Sequence, residues 1–102
     1  MNLKAGSRWK SAVCDTEVVV VRTPKAAGSL ECGGAPMVPS GADRPAAASL
    51  AQNHAGGSVL GKRYADVEMG LEVLCTKAGR GSLSFEGRPL TLHEAKRLPS
   101  SD

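Results

Sequence analysis

Residues 9–37 read WKSAVCDTEVVVVRTPKAAGSLECGGAPM, and this stretch decides the fold of the chain. It predicts a turn around Cys14, a strand over residues 17–22, a glycine-containing loop, a return strand ending at Cys32, and a glycine-rich second turn. Four consecutive valines favour a strand because β-branched side chains fit a pleated surface. Since the run is apolar on both faces, we expect this strand to be covered on both sides.

A variant of the same unit recurs in the second half of the chain. Up to the loop, each residue of the first unit matches one a constant number of positions further along the chain, and after the loop that number is two smaller. The matched pairs include Trp9 with Tyr64, Cys14 with Met69, Glu17 with Glu72, Gly28 with Gly81, Leu30 with Leu83 and Pro36 with Pro89. The length difference falls in a loop, where deletions are tolerated. Ordered matches on both sides of it indicate an internal repeat.

The chain is therefore predicted to be an all-β protein of two small units packed together. Residues 39–60 are rich in Ala, Gly, Ser and Pro, which is typical of a flexible linker. The predicted divisions are a first unit over residues 1–38, the linker over 39–60, a second unit over 61–92 and a polar tail over 93–102.

The first unit resembles the desulforedoxin module, a small iron-binding domain that also forms the N-terminal part of desulfoferrodoxins. The resemblance rests on an aromatic–Lys pair before a turn ending at Cys14, a Val-rich strand, Gly28, and the string Leu30-Glu-Cys-Gly-Gly-Ala-Pro-Met. It covers about thirty residues and implies two turns that converge on one metal ion. In that family four thiolates, two from each turn, hold iron or zinc.

This sequence departs from the family at the ligand positions. Ser11 stands where the first cysteine is expected and Gly33 where the fourth is expected, so only Cys14 and Cys32 remain. In the second copy the four positions are held by Asp66, Met69, Phe85 and Glu86. Because a structural tetrahedral site needs four good ligands, we expect the family's metal to be lost.

Loss of the metal has a consequence for folding. A unit of about thirty residues falls below the roughly 40 residues that fold without a metal, disulfide or partner. We expect the two units to compensate by packing the valines of residues 18–21 against Leu71, Val73 and Leu74. The resemblance implies a homodimer in the family, so the tandem chain is predicted to be a one-chain version of it, with Phe85 filling the second site with hydrocarbon.

The resemblance implies that Cys14 and Cys32 lie close together, and three interpretations follow. They are two small buried thiols left from a lost site, a redox-switched disulfide, or a weaker iron or zinc site completed by Asp15, His54 or a second chain. Cys75 matches Val20 within a strand and is expected to be apolar filler. His54 and His93 have no partner at metal-ligand spacing and are expected at the surface.

Composition excludes several function classes. The 102 residues carry thirteen basic and ten acidic side chains, scattered along the chain, with one Trp, one Tyr and one Phe. This gives no polybasic block for nucleic acid and little for base stacking. Neither the roughly 18 apolar residues of a membrane span nor an apolar signal region is visible. Three cysteines argue against a secreted disulfide scaffold, so a cytoplasmic, bacterial-type protein is expected.

No catalytic constellation stands out. The Gly-Arg-Gly of residues 79–81 lacks the Lys-Ser/Thr and helix of a phosphate loop and is predicted to be a hairpin loop. We expect a non-catalytic accessory or protein-interaction protein without a cofactor, whose partner is another protein or a second copy of the chain. The alternative is an iron- or zinc-binding, electron-transfer protein that uses Cys14 and Cys32. Superoxide reduction is disfavoured, because the resemblance implies that desulfoferrodoxins carry out this reaction in a separate histidine-rich domain, and this sequence shows no such histidine-rich stretch.

Overall fold

The structure is a computed structural model that describes residues 3–43, 50, 52 and 55–93, with the backbone alone for His93. Among these residues there is no α-helix, and none therefore that could cross a membrane. The described residues form ten strands, in chain order β1 Arg8–Lys10, β2 Glu17–Arg22, β3 Leu30–Cys32, β4 Ala35–Pro36, β5 Val38–Pro39, β6 Arg63–Asp66, β7 Leu71–Lys77, β8 Leu83–Phe85, β9 Arg88–Pro89 and β10 Thr91–His93. The predicted all-β class is confirmed.

The strands form two antiparallel sheets that both halves of the chain share. One sheet has six strands in the order β10-β6-β7-β2-β1-β5, and the other has four in the order β4-β3-β8-β9. The middle pair of each sheet, β7 with β2 and β3 with β8, joins one strand from each half. The two halves are therefore connected by continuous hydrogen-bonded ladders.

Strands of the two halves occupy equivalent places about the middle of each sheet. Backbone hydrogen bonds in the turns also correspond between the halves. Gly6 N–H donates to the Val20 carbonyl, as Gly61 N–H does to the Cys75 carbonyl. The bond from Met37 N–H to the Leu30 carbonyl likewise corresponds to that from Leu90 to Leu83, and the bond from Gly33 to Ser82 corresponds to that from Glu86 to Ser29. Gly33 and its counterpart Glu86 both have left-handed backbone, with φ of 67° and 50°. An internal repeat would produce such matching contacts. The repeat itself stays a prediction.

The valine strand β2 is covered on one face, and the prediction that both faces are covered is wrong. Val18 and Val20 are each only 1% exposed, whereas Val19 is half-buried and Val21 is 41% exposed. The ladder with β7 shifts register between Val20 and Arg22, so Val21 has no Cα partner there. Such a bulge places an extra residue on one strand and turns it away from the regular pairing.

The predicted contact between the valine strands takes a different form from face-to-face packing. Val20 lies opposite Val73, and Val19 lies opposite Leu74, as neighbours in the same sheet. Directly opposite residues in an antiparallel pair place their side chains on the same face. Val20 and Val73 therefore lie together on the face that the second sheet covers, whereas Val19 and Leu74 lie together on the opposite face, where both are half-buried.

The core lies between the two sheets. Leu30 and Phe85 are opposite each other in the four-stranded sheet, and both are fully buried. The buried cluster also contains Leu3, Trp9, Val18, Val20, Cys32, Met37, Leu71, Val73, Leu83 and Leu90. Burying a side chain the size of Leu or Phe contributes about 1.5–3 kcal/mol, so this cluster can replace the stabilisation that a metal supplies in a very small domain.

The 79–81 loop is not a hairpin loop, so that prediction is wrong. It connects β7 of the six-stranded sheet to β8 of the four-stranded sheet, and these strands are not neighbours. The loop crosses from one sheet to the other and lies against the turns of the first half, since Gly33 N–H donates to the Ser82 carbonyl. This crossing positions the loop at the candidate site.

Parts of the predicted linker are ordered in the structure. Pro39, the first linker residue, lies in β5 at the edge of the six-stranded sheet, and Ser58 is buried with its N–H donating to the Gly79 carbonyl. His54 and most of the proposed tail lie outside the described residues. The division of the chain into units at residues 38 and 60 stays a prediction.

Replacing Gly28 with alanine should destabilise the fold. A Cβ at Gly28 would lie 2.3 Å from Phe85 Cζ and 2.9 Å from its Cε1, and the ring is fully buried. Overpacking of this kind costs about 1–3 kcal/mol, which chemical denaturation can measure. Gly41→Ala is the control, because a Cβ there meets nothing within 4 Å. Equal stabilities of the two variants would contradict the packing described.

Candidate functional site

The turn between β1 and β2 is organised by Ser11. Its N–H donates to the Thr16 carbonyl at 2.8 Å, and its Oγ accepts from the N–H groups of Val13 (3.1 Å) and Cys14 (3.0 Å). Ser11 is fully buried, so these backbone donors would otherwise be unpaired away from water. The serine at the first predicted ligand position therefore acts as a turn residue that fixes the position of Cys14.

The structure brings Cys14 and Cys32 together. Their sulfurs are 3.8 Å apart, and both cysteines are free. Cys32 ends strand β3 and is fully buried, whereas Cys14 lies on the turn and is half-buried. The separation exceeds a disulfide bond of about 2.05 Å, but it is short enough for one reactant to contact both sulfurs.

The 79–81 loop of the second half closes over these sulfurs. Gly81 N–H donates to Cys14 Sγ at 3.4 Å. A Cβ at Gly81 would lie 2.8 Å from Cys32 Sγ, and a Cβ at Gly79 would lie 2.3 Å from Thr16 Oγ1. Glycine is required at both positions because the loop backbone packs directly on the thiols and the turn. The site is thus made by both halves of the chain.

Two hydroxyls connect Cys14 to the loop. Thr16 Oγ1 is 3.2 Å from Cys14 Sγ and 3.1 Å from Ser58 Oγ, and Ser58 Oγ donates to the Gly81 carbonyl. The Ser58 hydroxyl proton is donated to that carbonyl, so the Thr16 hydroxyl can donate either to Ser58 Oγ or to Cys14 Sγ. When Thr16 donates to Ser58, its oxygen can accept the proton of a Cys14 thiol. When Thr16 donates to Cys14, it stabilises the Cys14 thiolate. Thr16 therefore satisfies both protonation states of Cys14.

The surroundings of Cys14 favour its thiolate. Burial raises its pKa, but hydrogen bonds from the Ser11 and Thr16 hydroxyls and from the Thr16 and Gly81 backbone lower the pKa further than burial raises it. The net effect brings the pKa of Cys14 from 9.0 to about 7. Hydrogen bonds to the charged form stabilise that form, and thiolates are the reactive species.

Cys32 is shifted in the opposite direction. Burial raises its pKa, the negative charge of Cys14 raises it again, and the result is about 11. Burial also raises the pKa of Cys75, whose Sγ lies 3.2 Å from the Lys77 carbonyl in strand β7. Near neutral pH the pair therefore loses its first proton from Cys14, and Cys32 keeps its own.

The residues present do not fit the closed iron or zinc centre that the resemblance implies. A Cβ at Gly33, the fourth ligand position, would lie 2.6 Å from both Leu50 Cδ1 and Val13 Cγ2, so apolar side chains fill that space. Among the described residues, no group of three or more His, Cys, Asp or Glu side chains converges. Asp15 accordingly does not complete a site with the two cysteines, and His54 lies outside the described part of the chain.

The second unit carries no comparable chemistry at the equivalent positions. Asp66 is buried, accepts from the Met69 N–H at 3.3 Å and pairs with Arg88 at 2.8 Å. Phe85 is fully buried in the core, and Glu86 Oε2 accepts from the Ser29 N–H at 2.6 Å. Hydrocarbon and an ion pair therefore stand at positions where the resemblance implies ligands.

Comparisons with protein-family models, curated proteins and solved structures gave no match to this chain. The likeness to desulforedoxin stays a prediction.

Replacing Thr16 with valine should raise the pKa of Cys14, because it removes a hydroxyl that donates to the thiolate. Alkylation by iodoacetamide, followed at Cys14 by mass spectrometry across pH, should show a midpoint of about 7 in the unchanged protein and a higher one in the variant. At pH 7 the variant should react more slowly. Thr76→Val is the matched control, since Thr76 is exposed and its hydroxyl bonds the Glu17 carbonyl. Identical midpoints in all three proteins would refute the role of Thr16.

Proposed function

We propose that the chain is a thiol–disulfide redox protein in which Cys14 is the attacking cysteine and Cys32 the resolving one. One observation supports this proposal above the others: two free sulfurs face each other at 3.8 Å in unlike surroundings. Cys14 is half-exposed among hydrogen-bond donors, and Cys32 is fully buried. Reactive cysteines are accessible and have depressed pKa values, whereas buried ones are inert until a partner reaches them.

The first step is attack by the Cys14 thiolate on one sulfur of a small-molecule or protein disulfide. A bond forms between Cys14 Sγ and that sulfur, the original S–S bond breaks, and one thiolate leaves. A pKa of about 7 suits this step, because an attacking thiol works best with a pKa near the ambient pH.

The second step uses Cys32. While Cys14 is a thiolate, its charge helps to hold the pKa of Cys32 at about 11. That charge is gone once Cys14 is in the mixed disulfide, so Cys32 becomes easier to deprotonate. Its sulfur then attacks Cys14 Sγ, the mixed disulfide breaks, and the second thiol leaves with the Cys32 proton. In a reducing cytoplasm such a disulfide would be transient rather than structural.

The thiol count under controlled oxidation tests this function. The reduced protein should show three free thiols, and equilibration with oxidised glutathione should leave one, Cys75. Cys14→Ser and Cys32→Ser should prevent the intramolecular bond and instead hold at most one glutathione per chain. Cys75→Ser is the control and should still form the bond. Three thiols persisting at high oxidised-to-reduced ratios would rule the proposal out.

We also propose, as a second function, the accessory role in which the chain binds another protein or a second copy of itself. The observation that favours it is an apolar cluster at the β10 edge, formed by Val59, Tyr64 and Leu92, with Leu60 next to Val59 in the chain. Leu92 pairs with Tyr64 across the β10–β6 ladder, and Val59 N–H donates to Tyr64 Oη at 3.0 Å. Val59, Leu60 and Leu92 are 54%, 62% and 48% exposed.

Leu92→Asp tests the accessory role. It should abolish capture of a partner, or self-association in sedimentation experiments, because it introduces a charge into the apolar cluster. Val67→Asp is the control, since Val67 is 78% exposed in the turn after β6 and outside the cluster. Equal binding by the two variants would show that this surface is not the contact.

A further inference from the structure

We propose that Cys14 and Cys32 form a binding site for a soft monovalent metal ion of the Cu(I) class. This inference is independent of the redox function, because it requires both cysteines to remain reduced. It differs also from the iron or zinc centre of the resemblance, which the donor set does not fit.

The sulfur geometry allows one ion to contact both cysteines. With each sulfur bonded to the ion at about 2.3 Å, the two sulfurs are about 4.6 Å apart in a straight two-ligand arrangement and about 4.0 Å apart at the 120° angle of a three-ligand one. The observed 3.8 Å is slightly shorter than either, so loading requires the sulfurs to move apart by a few tenths of an ångström or more. A small rotation of Cys14, which lies on the turn rather than in a strand, would open the angle further.

The ligand set selects for a soft ion. Thiolates favour Cu(I), which is stable with only two or three sulfur ligands, whereas structural zinc takes four ligands. In the described part of the chain no carboxylate or imidazole joins the two sulfurs. Zinc would need water or other ligands to complete its shell, and the nearby space is taken by Leu50, Val13 and the backbone of the 79–81 loop.

The charge of the loaded site is also accommodated. Two thiolates and one monovalent ion leave a net negative charge on the sulfurs. Gly81 N–H donates to Cys14 Sγ, and the Thr16 hydroxyl lies 3.2 Å from it. Donors of this kind stabilise a negative sulfur without competing as ligands. Cys14 is half-exposed, which gives the ion a route to a pair that is otherwise buried.

Binding exchanges protons for the metal. Each cysteine that ligates must lose its thiol proton, so loading releases up to two protons and the ion carries no change in oxidation state. Apparent affinity should therefore fall as pH falls. A site that used backbone carbonyls or water instead would show no such dependence.

The experiment is an anaerobic titration of the reduced full chain with Cu(I) against the chromogenic chelator bathocuproine disulfonate. The protein should withdraw about one Cu(I) per chain from the chelator, and about none after Cys14→Ser or Cys32→Ser. Cys75→Ser is the matched control and should retain the full equivalent. Zn(II), titrated against a zinc chelator, should not be retained.

A second measurement covers the case in which a cysteine variant fails to fold. Cys14 of the unchanged protein is alkylated with iodoacetamide near pH 7, retention of the fold is checked by circular dichroism, and the titration is repeated. Loss of the Cu(I) equivalent on alkylation supports the site. Any one of three results would overturn it: no Cu(I) withdrawn by the unchanged protein, equal loss in Cys75→Ser, or stoichiometric zinc. Disulfide formation is not involved, so the redox proposal can fail while this one stands.

Discussion

The antiparallel ladder between β2 and β7 is the interaction on which the rest of the structure depends. It sets Val20 opposite Val73 and joins the two halves of the chain in one six-stranded sheet. The companion pair β3–β8 then forms the centre of the second sheet, and the core is enclosed between them. Because each half changes sheet after its long strand, the 79–81 loop is delivered onto the opposite half, where Gly81 N–H meets Cys14. Both sulfurs belong to the first half, and the ladder is what brings the loop of the second half against them.

In the first half, local sequence predicted the strand over residues 17–22 and the return strand ending at Cys32, but not the short strands β1, β4 and β5. Strand β2 is found at residues 17–22 as expected, since four valines between charged ends have few alternatives to a strand. Its burial was predicted wrongly because the bulge that exposes Val21 depends on the register of β7, which lies far along the chain. The 79–81 loop was mistaken for a hairpin for the same reason. Whether a loop reverses within a sheet or crosses to another one depends on tertiary pairing rather than on its glycines.

At the site, sequence pointed to Cys14 and Cys32 through a family resemblance, and the structure places these two sulfurs together. It gave no sign of Ser58, which belongs to a stretch that is typical of a linker, nor of the hydroxyl chain from Thr16 to the Gly81 carbonyl. Groups of that kind carry no motif, because their role comes from distances between segments. The opposite pKa shifts of the two cysteines follow from burial and donors that only the folded chain supplies.

In two places a glycine of one half lies against a residue of the other half, and the residue it contacts differs between them. Gly81 lies on the sulfurs, and its counterpart Gly28 lies on the buried ring of Phe85. The Phe85 ring carries no thiol and is fully buried, so its packing does not depend on the oxidation state of the two cysteines. Cys32 and Leu30 lie two residues apart on β3, opposite Leu83 and Phe85, so the sulfur contact and the hydrocarbon contact are neighbours in one sheet. A fold with two such contacts can keep hydrocarbon packing at one of them while it places sulfurs at the other.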